Sequence, residues 1–209
     1  MTPSKPPIRV WGLVPAAGMS RRMGHAKQTL PFGGSTVVGV VVRTILDAPV
    51  EGVTVVTRSN LRHLLDLPSS QSITVLFNDD GSSEMIDSIR LGLNHLWNKF
   101  ESAGGVNTQD GVLVIPGDMP TISPGTCRAV IETFRSDPTR IMIATHRGLR
   151  GHPLLLPMVL ADAVRSHTGG LNELVQRHPG RVVSVPVDDP GVLKDLDSPR
   201  DYGDSQPAR

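Results

Sequence analysis

Three cations, Arg21, Arg22 and Lys27, stand close together on a stretch that also carries Gly18 and Gly24. Backbone N–H groups in such a loop can turn toward an anion, and the glycines let the backbone come close. Cations at this spacing suit a polyphosphate better than a single carboxylate. The pattern is neither the P-loop GxxxxGK[ST] nor GxGxxG. An ordinary surface loop with solvated arginines is the competing interpretation.

Carboxylates form the second group. Asp118 follows an apolar run on a Pro-Gly turn, where its side chain would point into a crevice. Next to a polyphosphate it would repel, unless a divalent cation lay between them. Magnesium suits that place, because it takes one or two carboxylates plus phosphate oxygens and keeps some waters. The competing role is an Asx-turn that orders Met119 and Pro120. Asp195-Leu-Asp197 could supply the other metal carboxylate. We assign Asp195 to the metal and Asp197 to a structural helix cap. His146, Arg147, Arg150 and His152 make a basic loop suited to an anionic acceptor, with Gly148 and Gly151 letting it fold around one. A zinc site there lacks a Cys or a close His pair.

The elements that must position these groups follow from the apolar pattern. Residues 8–14 read as a strand entering the basic loop, and the apolar-rich run 36–48 as the following helix. Strands are predicted at 53–57, 73–77, 112–115, 141–145 and 182–187, with a short apolar run at 153–156. Helices are predicted from Ser59 to Pro68, at 83–97, after the cap Ser123-Pro124, and near 158–166 and 170–177. Residues 99–111 read as a flexible connection, and those beyond Tyr202 as disordered. Strands alternating with helices predict an α/β layer fold with a mostly parallel sheet, and ligands beyond the carboxyl ends of its strands. The loops after Val14, Phe77 and Ile115, together with loop 146–152, all fall on that edge.

With 209 residues the chain fits one domain, 1–209, with tails at 1–7 and 203–209. The formal net charge of +1 excludes a whole-molecule field drawing it to nucleic acid. Aromatics at 3% argue against base-stacking platforms. The proline-rich start lacks the apolar segment of a secretory signal, and no run approaches a membrane span. The lone cysteine, Cys127, reads as a buried thiol and fits a reducing compartment. A cytoplasmic protein is expected.

Ala16-Ala-Gly-Met-Ser-Arg-Arg-Met-Gly-His-Ala-Lys27 with Leu30-Pro31 resembles the opening signature of the molybdopterin nucleotidyltransferase-like (MobA-like NTP transferase) family. Within it, the chain is most similar to the molybdenum cofactor cytidylyltransferases. Val112-Leu-Val-Ile-Pro-Gly-Asp-Met-Pro120, Gly151-His-Pro153 and the segment 189–202 resemble the family's later motifs, in the family's order. Pro15, Glu84 and residues 167–172 differ from its usual pattern. The resemblance implies a Rossmann-like three-layer α/β/α nucleotidyltransferase. It would join a nucleoside monophosphate, CMP from CTP, to a phosphorylated acceptor, molybdopterin, and release pyrophosphate. A molybdoenzyme is the implied partner, and no nucleic acid or membrane is implied.

By the same resemblance, the backbone of Ala16, Ala17, Gly18, Ser20, Arg21 and Gly24, with Arg22, holds the triphosphate. Lys27 neutralises charge at the scissile phosphorus, and Asp118 and Asp195 hold Mg2+. Ser88 and Arg90 lie in the segment that builds the nucleotide and acceptor pocket, while Arg150 and His152 meet the acceptor. Such chemistry works by electrostatic placement without a covalent intermediate. The alternatives are transfer to a sugar- or polyol-phosphate, a glycosyltransferase using Asp195 and Asp197, and a nucleotide-binding cofactor chaperone. The transfer reading requires Lys27 and Asp118 to face one crevice.

Overall fold

The computed structural model describes residues 7–19, 25–102 and 105–206. Its first strand, β1 (Val10–Pro15), is buried along its whole length. Two short strands, β2 (Pro31–Phe32) and β3 (Ser35–Thr36), pair antiparallel. Helix α1 (Val37–Leu46) follows, capped by Thr36, whose Oγ1 accepts from the Gly39 N–H at 3.2 Å. Then come β4 (Val53–Thr57), β5 (Ile73–Phe77), α2 (Met85–Ser102) and β6 (Gly111–Val114). Next are α3 (Pro124–Ser136), β7 (Ile141–His146), β8 (Leu149–Pro157) and α4 (Ala161–Ser166). The chain ends with α5 (Leu171–Arg177), β9 (Val182–Pro186) and α6 (Pro199–Asp204).

Seven strands form one sheet in the order β5-β4-β1-β6-β8-β7-β9. Every pairing is parallel except the two made by β8, which runs antiparallel to β6 and to β7. A sheet buried on both faces needs apolar side chains in both directions. In β1, Val10 and Val14 join α1 and α3 on one face, while Trp11 and Leu13 join α2, α4 and α5 on the other. The result is the α/β/α arrangement expected from the alternation of elements. Gly12 is required in this register, because a Cβ there would lie 2.5 Å from Ile45 Cγ2 on α1.

Several expectations need correction. The segment 59–65 forms a 3-10 turn over Ser59–Leu64 instead of an α-helix, too short to bury a full amphipathic face. The connection 99–111 is shorter than its polarity implies, since α2 continues through Ser102. Asp110 at its end is fully buried and accepts from the Arg9 N–H at 3.0 Å, Arg9 Nη2 at 2.7 Å and Asn107 Nδ2 at 3.2 Å. This cluster ties the start of β1 to the start of β6. Loop 146–152 is a β-hairpin with two central residues, Arg147 (φ 49°) and Gly148 (φ 80°). Positive φ at both positions matches the twist of the flanking strands. The short run 153–156 is the inner part of the nine-residue β8.

The chain does not lose order at Tyr202. Helix α6 runs through Asp204, and Ser198 and Asp201 close a capping box at its start. Gln206 Nε2 then donates to the Pro31 carbonyl at 3.2 Å. No helix among the described residues is long and apolar enough to cross a membrane.

Phe134 is fully buried between α3 and the sheet. Phe134→Ala is expected to lower the unfolding free energy by about 3–5 kcal/mol through lost contacts and a cavity. Urea denaturation followed by circular dichroism checks this, and a loss below about 1 kcal/mol would show that the core does not rest on this ring.

Candidate functional site

The loops after β1 and β6 continue side by side past the ends of their strands. Ile115 N–H donates to the Leu13 carbonyl at 3.1 Å, and Gly117 N–H to the Pro15 carbonyl at 3.0 Å. At Gly117 a Cβ would stand 2.8 Å from the Ala16 Cβ, so this close approach needs glycine. Asp118 therefore emerges beside the glycine-bearing loop. Its own carbonyl accepts from the Leu196 N–H at 3.0 Å, which lays the C-terminal segment across the same edge. Asp189 anchors that segment, accepting from the Ser123 N–H at 2.9 Å, Thr126 Oγ1 at 2.6 Å and the Gly191 N–H at 2.9 Å. Leu196 is fully buried. In an extended run, Asp195 and Asp197 then lie on the opposite side from it, toward the crevice.

Lys27 sits where these segments meet. Its Nζ lies 2.6 Å from Asp118 Oδ2 and 2.7 Å from Asp197 Oδ1. Burial alone would push the ammonium's pKa down, but Asp118 and Asp197 outweigh it and hold the value above that of ordinary lysine. The group is charged throughout the neutral range. Asp195 behaves oppositely: burial, then the neighbouring charges of Asp197 and Asp118, raise its pKa. The assignment of Asp197 as a helix cap is thus overturned. Ser198 caps α6, which leaves the Asp197 carboxylate to the Lys27 ammonium.

Asp118 lines two adjoining hollows. One, open to solvent, is bounded by Ala16, Ala17, Gly18, Gln28, Glu84 and Ser88. The other is bounded by Arg150, His152, Val192, Leu193 and Asp195. Burial pushes His152 below the ordinary histidine pKa, against the pull of the Val114 carbonyl and Asp118. At neutral pH it presents a neutral ring. Arg150 and His152, both on β8, are brought together as expected. Ser88 joins the first hollow and accepts from Asn78 Nδ2 at 3.2 Å.

Arg90, by contrast, is directed away from the crevice. Its guanidinium donates to Asp87 at 2.6 Å, to the Val164 carbonyl at 3.3 Å and to the His167 carbonyl. It fastens α2 to the end of α4, because the residue two places beyond Ser88 projects from another side of the helix. Ser20, Arg21, Arg22 and Gly24 lie outside the described residues.

Sequence reasoning missed Gln28, which is almost fully buried. Its Nε2 donates to the Ala16 carbonyl at 3.1 Å and the Gly18 carbonyl at 2.9 Å. Both loop carbonyls thereby accept from one amide, and the Ala16 carbonyl also from Thr57 Oγ1 at 3.5 Å. Its place in sequence next to Lys27 is the signal that could have found it. Asp197 was missed as a charge partner because only the fold brings it to Lys27.

The donor set fits a divalent cation. Asp118 Oδ1 is buried with no hydrogen-bond partner among the described residues, so a hard oxygen donor is unsatisfied in the crevice. Among the described residues no three His, Cys, Asp or Glu side chains converge into a full cage. An ion at Asp118 would therefore need ligands beyond those side chains, such as phosphate oxygens or water. Cys127 takes no part: its thiol is buried, and burial followed by Asp189 pushes its pKa up to about 12.

Fold and crevice together are those of a nucleotidyltransferase. A model of the MobA-like NTP transferase domain matches residues 12–182, and the chain belongs to that family. It is 25% identical over 193 residues to the molybdenum cofactor cytidylyltransferase of Escherichia coli (strain K12), covering 91% of this chain and 92% of that one. It is 26% identical over 200 residues to the nicotine blue oxidoreductase of Paenarthrobacter nicotinovorans, covering 90% and 92%. The Rv0371c protein of Mycobacterium tuberculosis H37Rv, solved in complex with manganese, superposes with a TM-score of 0.71 at 24% identity, covering 94% of this chain and 97% of that one.

Gln28→Leu is expected to release the Gly18 carbonyl, leave the Ala16 carbonyl only its longer contact with Thr57 Oγ1 at 3.5 Å, and speed amide hydrogen exchange across residues 16–19 by roughly tenfold, which local opening energies allow. Unchanged exchange there would remove Gln28 as the loop's clamp. Cys127 is expected to resist thiol reagents at pH 8 until denaturant is added, since a thiol with a pKa of about 12 holds almost no thiolate. Prompt labelling of the folded chain would contradict its burial.

Proposed function

We propose that this protein is a Mg2+-dependent cytidylyltransferase that moves CMP from CTP onto a phosphate of molybdopterin and releases pyrophosphate. The observation that carries the reading is Lys27, held 2.6 Å from Asp118 where two hollows adjoin. One hollow, next to residues 16–18, takes the nucleotide. The other, next to Arg150 and His152, takes the acceptor. An oxygen of the acceptor phosphate attacks the α-phosphorus of CTP, and the bond to the pyrophosphate oxygen breaks. No protein nucleophile is needed.

Negative charge builds on the α-phosphate and the departing pyrophosphate. Lys27 neutralises it from a fixed place, aided by Arg22 in the glycine-bearing loop. The backbone at Ala16, Ala17 and Gly18, with Ser20, Arg21 and Gly24, cradles the triphosphate, and Ser88 lines the nucleoside side. Asp118 and Asp195 would hold the Mg2+, which supplies charge stabilisation between the phosphates. Arg150 offers the acceptor phosphate a fork of donors, and neutral His152 adds a hydrogen bond without a second charge. We read residues 1–209 as one domain acting in the cytoplasm, its product passing to a molybdoenzyme.

Lys27→Ala and Asp118→Ala are each expected to lower turnover by about 10²-fold or more, the scale of one lost transition-state contact. The assay follows pyrophosphate release from CTP with Mg2+ and molybdopterin, beside GTP and beside sugar- and polyol-phosphate acceptors. Near-normal rates in both variants would overturn the catalytic assignments. Release only with another acceptor would overturn molybdopterin.

A further inference from the structure

His152 lies on β8 in the wall of the second hollow, and its two ring nitrogens meet different surroundings. Nδ1 is 3.4 Å from the Val114 carbonyl oxygen. A carbonyl only accepts, so this contact assigns the ring proton to Nδ1. In a neutral ring the other nitrogen is then a bare lone pair. Burial favours that neutral form. The buried side-chain oxygens and nitrogens without a partner among the described residues are Asp118 Oδ1 and Thr121 Oγ1, and His152 Nε2 is not one of them. The Nε2 lone pair is therefore open to the hollow that the ring lines. The other charged side chains there are Asp118, Asp195 and Arg150, so Arg150 is the one cation among the described residues of that wall. A fully ionised phosphate offers only acceptor oxygens. Set against a bare ring nitrogen it would leave lone pairs facing each other without a proton between them. Phosphate thus belongs with Arg150, and Nε2 calls for a donor.

We propose that His152 is a specificity-determining residue for the acceptor, its Nε2 accepting a hydrogen bond from an N–H or O–H group that the acceptor carries beside the phosphate held by Arg150. An acceptor with a phosphate but no such donor leaves the lone pair unsatisfied and is discriminated against. The N–H groups of a pterin and the hydroxyls of a polyol-phosphate share the required chemistry. This rests on the transfer reading above and deepens it, because it states what the acceptor must present besides its phosphate.

The test has two readouts on the full chain. The first is the ring spectrum of the protein labelled with 15N-histidine at neutral pH, in which long-range 15N–1H correlations distinguish the tautomers. Seven histidines share it, and the signals lost in H152Q belong to His152. A protonated Nδ1 and a bare Nε2 are expected; a proton on Nε2 would overturn the proposal. The second is pyrophosphate release from CTP, with molybdopterin and with a polyol-phosphate as acceptors, by wild type, H152N and H152Q. The asparagine amide can still donate to the Val114 carbonyl but offers nothing at the place of Nε2. The longer glutamine can bring its amide oxygen there. H152N is expected to raise the KM for the acceptor that wild type uses by about tenfold, the scale of one lost hydrogen bond. Its KM for CTP should move by less than about twofold, and H152Q should recover most of the loss. Equal losses in H152N and H152Q, or an equal rise in the KM for CTP, would overturn the proposal, since His152 would then serve the structure alone. Thermal melts confirm folding, and should H152N unfold, the wild-type ring spectrum decides. No pyrophosphate from wild type with any acceptor would remove the transfer reaction and this role with it. A protonated Nε2 in a protein that does transfer would remove the role of His152 alone.

Discussion

One ammonium shared between carboxylates from distant parts of the chain holds the crevice in its working shape. Asp118 comes from the turn after β6, Asp197 from the segment before α6, and Lys27 from the turn after the glycine-bearing loop. Brought together alone, the carboxylates of Asp118 and Asp197 would repel, and the pKa of nearby Asp195 is raised first by its burial and then by the charges of Asp197 and Asp118. The lysine makes their convergence tolerable. It also places a cation beside the surface where a polyphosphate would lie, so the contact that stabilises the site is suited to its chemistry.

The sheet makes this meeting possible. Parallel strands put the loops after β1 and β6 at one edge, and β8, running the other way, starts from that edge. Arg150 and His152 consequently reach the crevice from strand backbone, and a strand positions side chains more tightly than a free loop does. The partly buried ring of His152 is desolvated in its place next to Asp118 and is uncharged at neutral pH. Gln28 gives comparable order to the other wall by fastening the carbonyls of residues 16 and 18. Each wall therefore carries a polar side chain tied to backbone carbonyls, Gln28 on one side and His152, at 3.4 Å from the Val114 carbonyl, on the other.

Among the relatives, a family of shared fold carries names from different reaction classes, a cytidylyltransferase and an oxidoreductase. The fold alone cannot choose between such chemistries; the side chains at the sheet edge do. Here those side chains are a lysine, three aspartates, an arginine and an uncharged histidine, a set suited to moving phosphorylated groups by charge placement. Nothing in the described part of the crevice provides an activated thiol, and Cys127 lies in the core.

Much of the layout was legible beforehand, because buried strands and amphipathic helices impose short-range periodicities that the residues display. The strands at 53–57 and 73–77, the Ser123 cap and the parallel core needed only local rules. So did the carboxyl edge as the place for Asp118. Misreadings arose where local preference and tertiary contact disagreed. Residues 99–102 extend α2 as Phe100 buries its ring beside Trp11, Asp110 is buried because Arg9 and Asn107 meet it, and residues past Tyr202 stay ordered against Pro31. What the sequence by itself determined was the order of elements, the layered sheet and the types of groups at its edge. Only the tertiary structure decided that Asp197 pairs with Lys27, that Arg90 turns away and that Gln28 clamps the loop. Those outcomes depend on which distant backbones come within hydrogen-bond reach, and spacing along a chain carries no record of that.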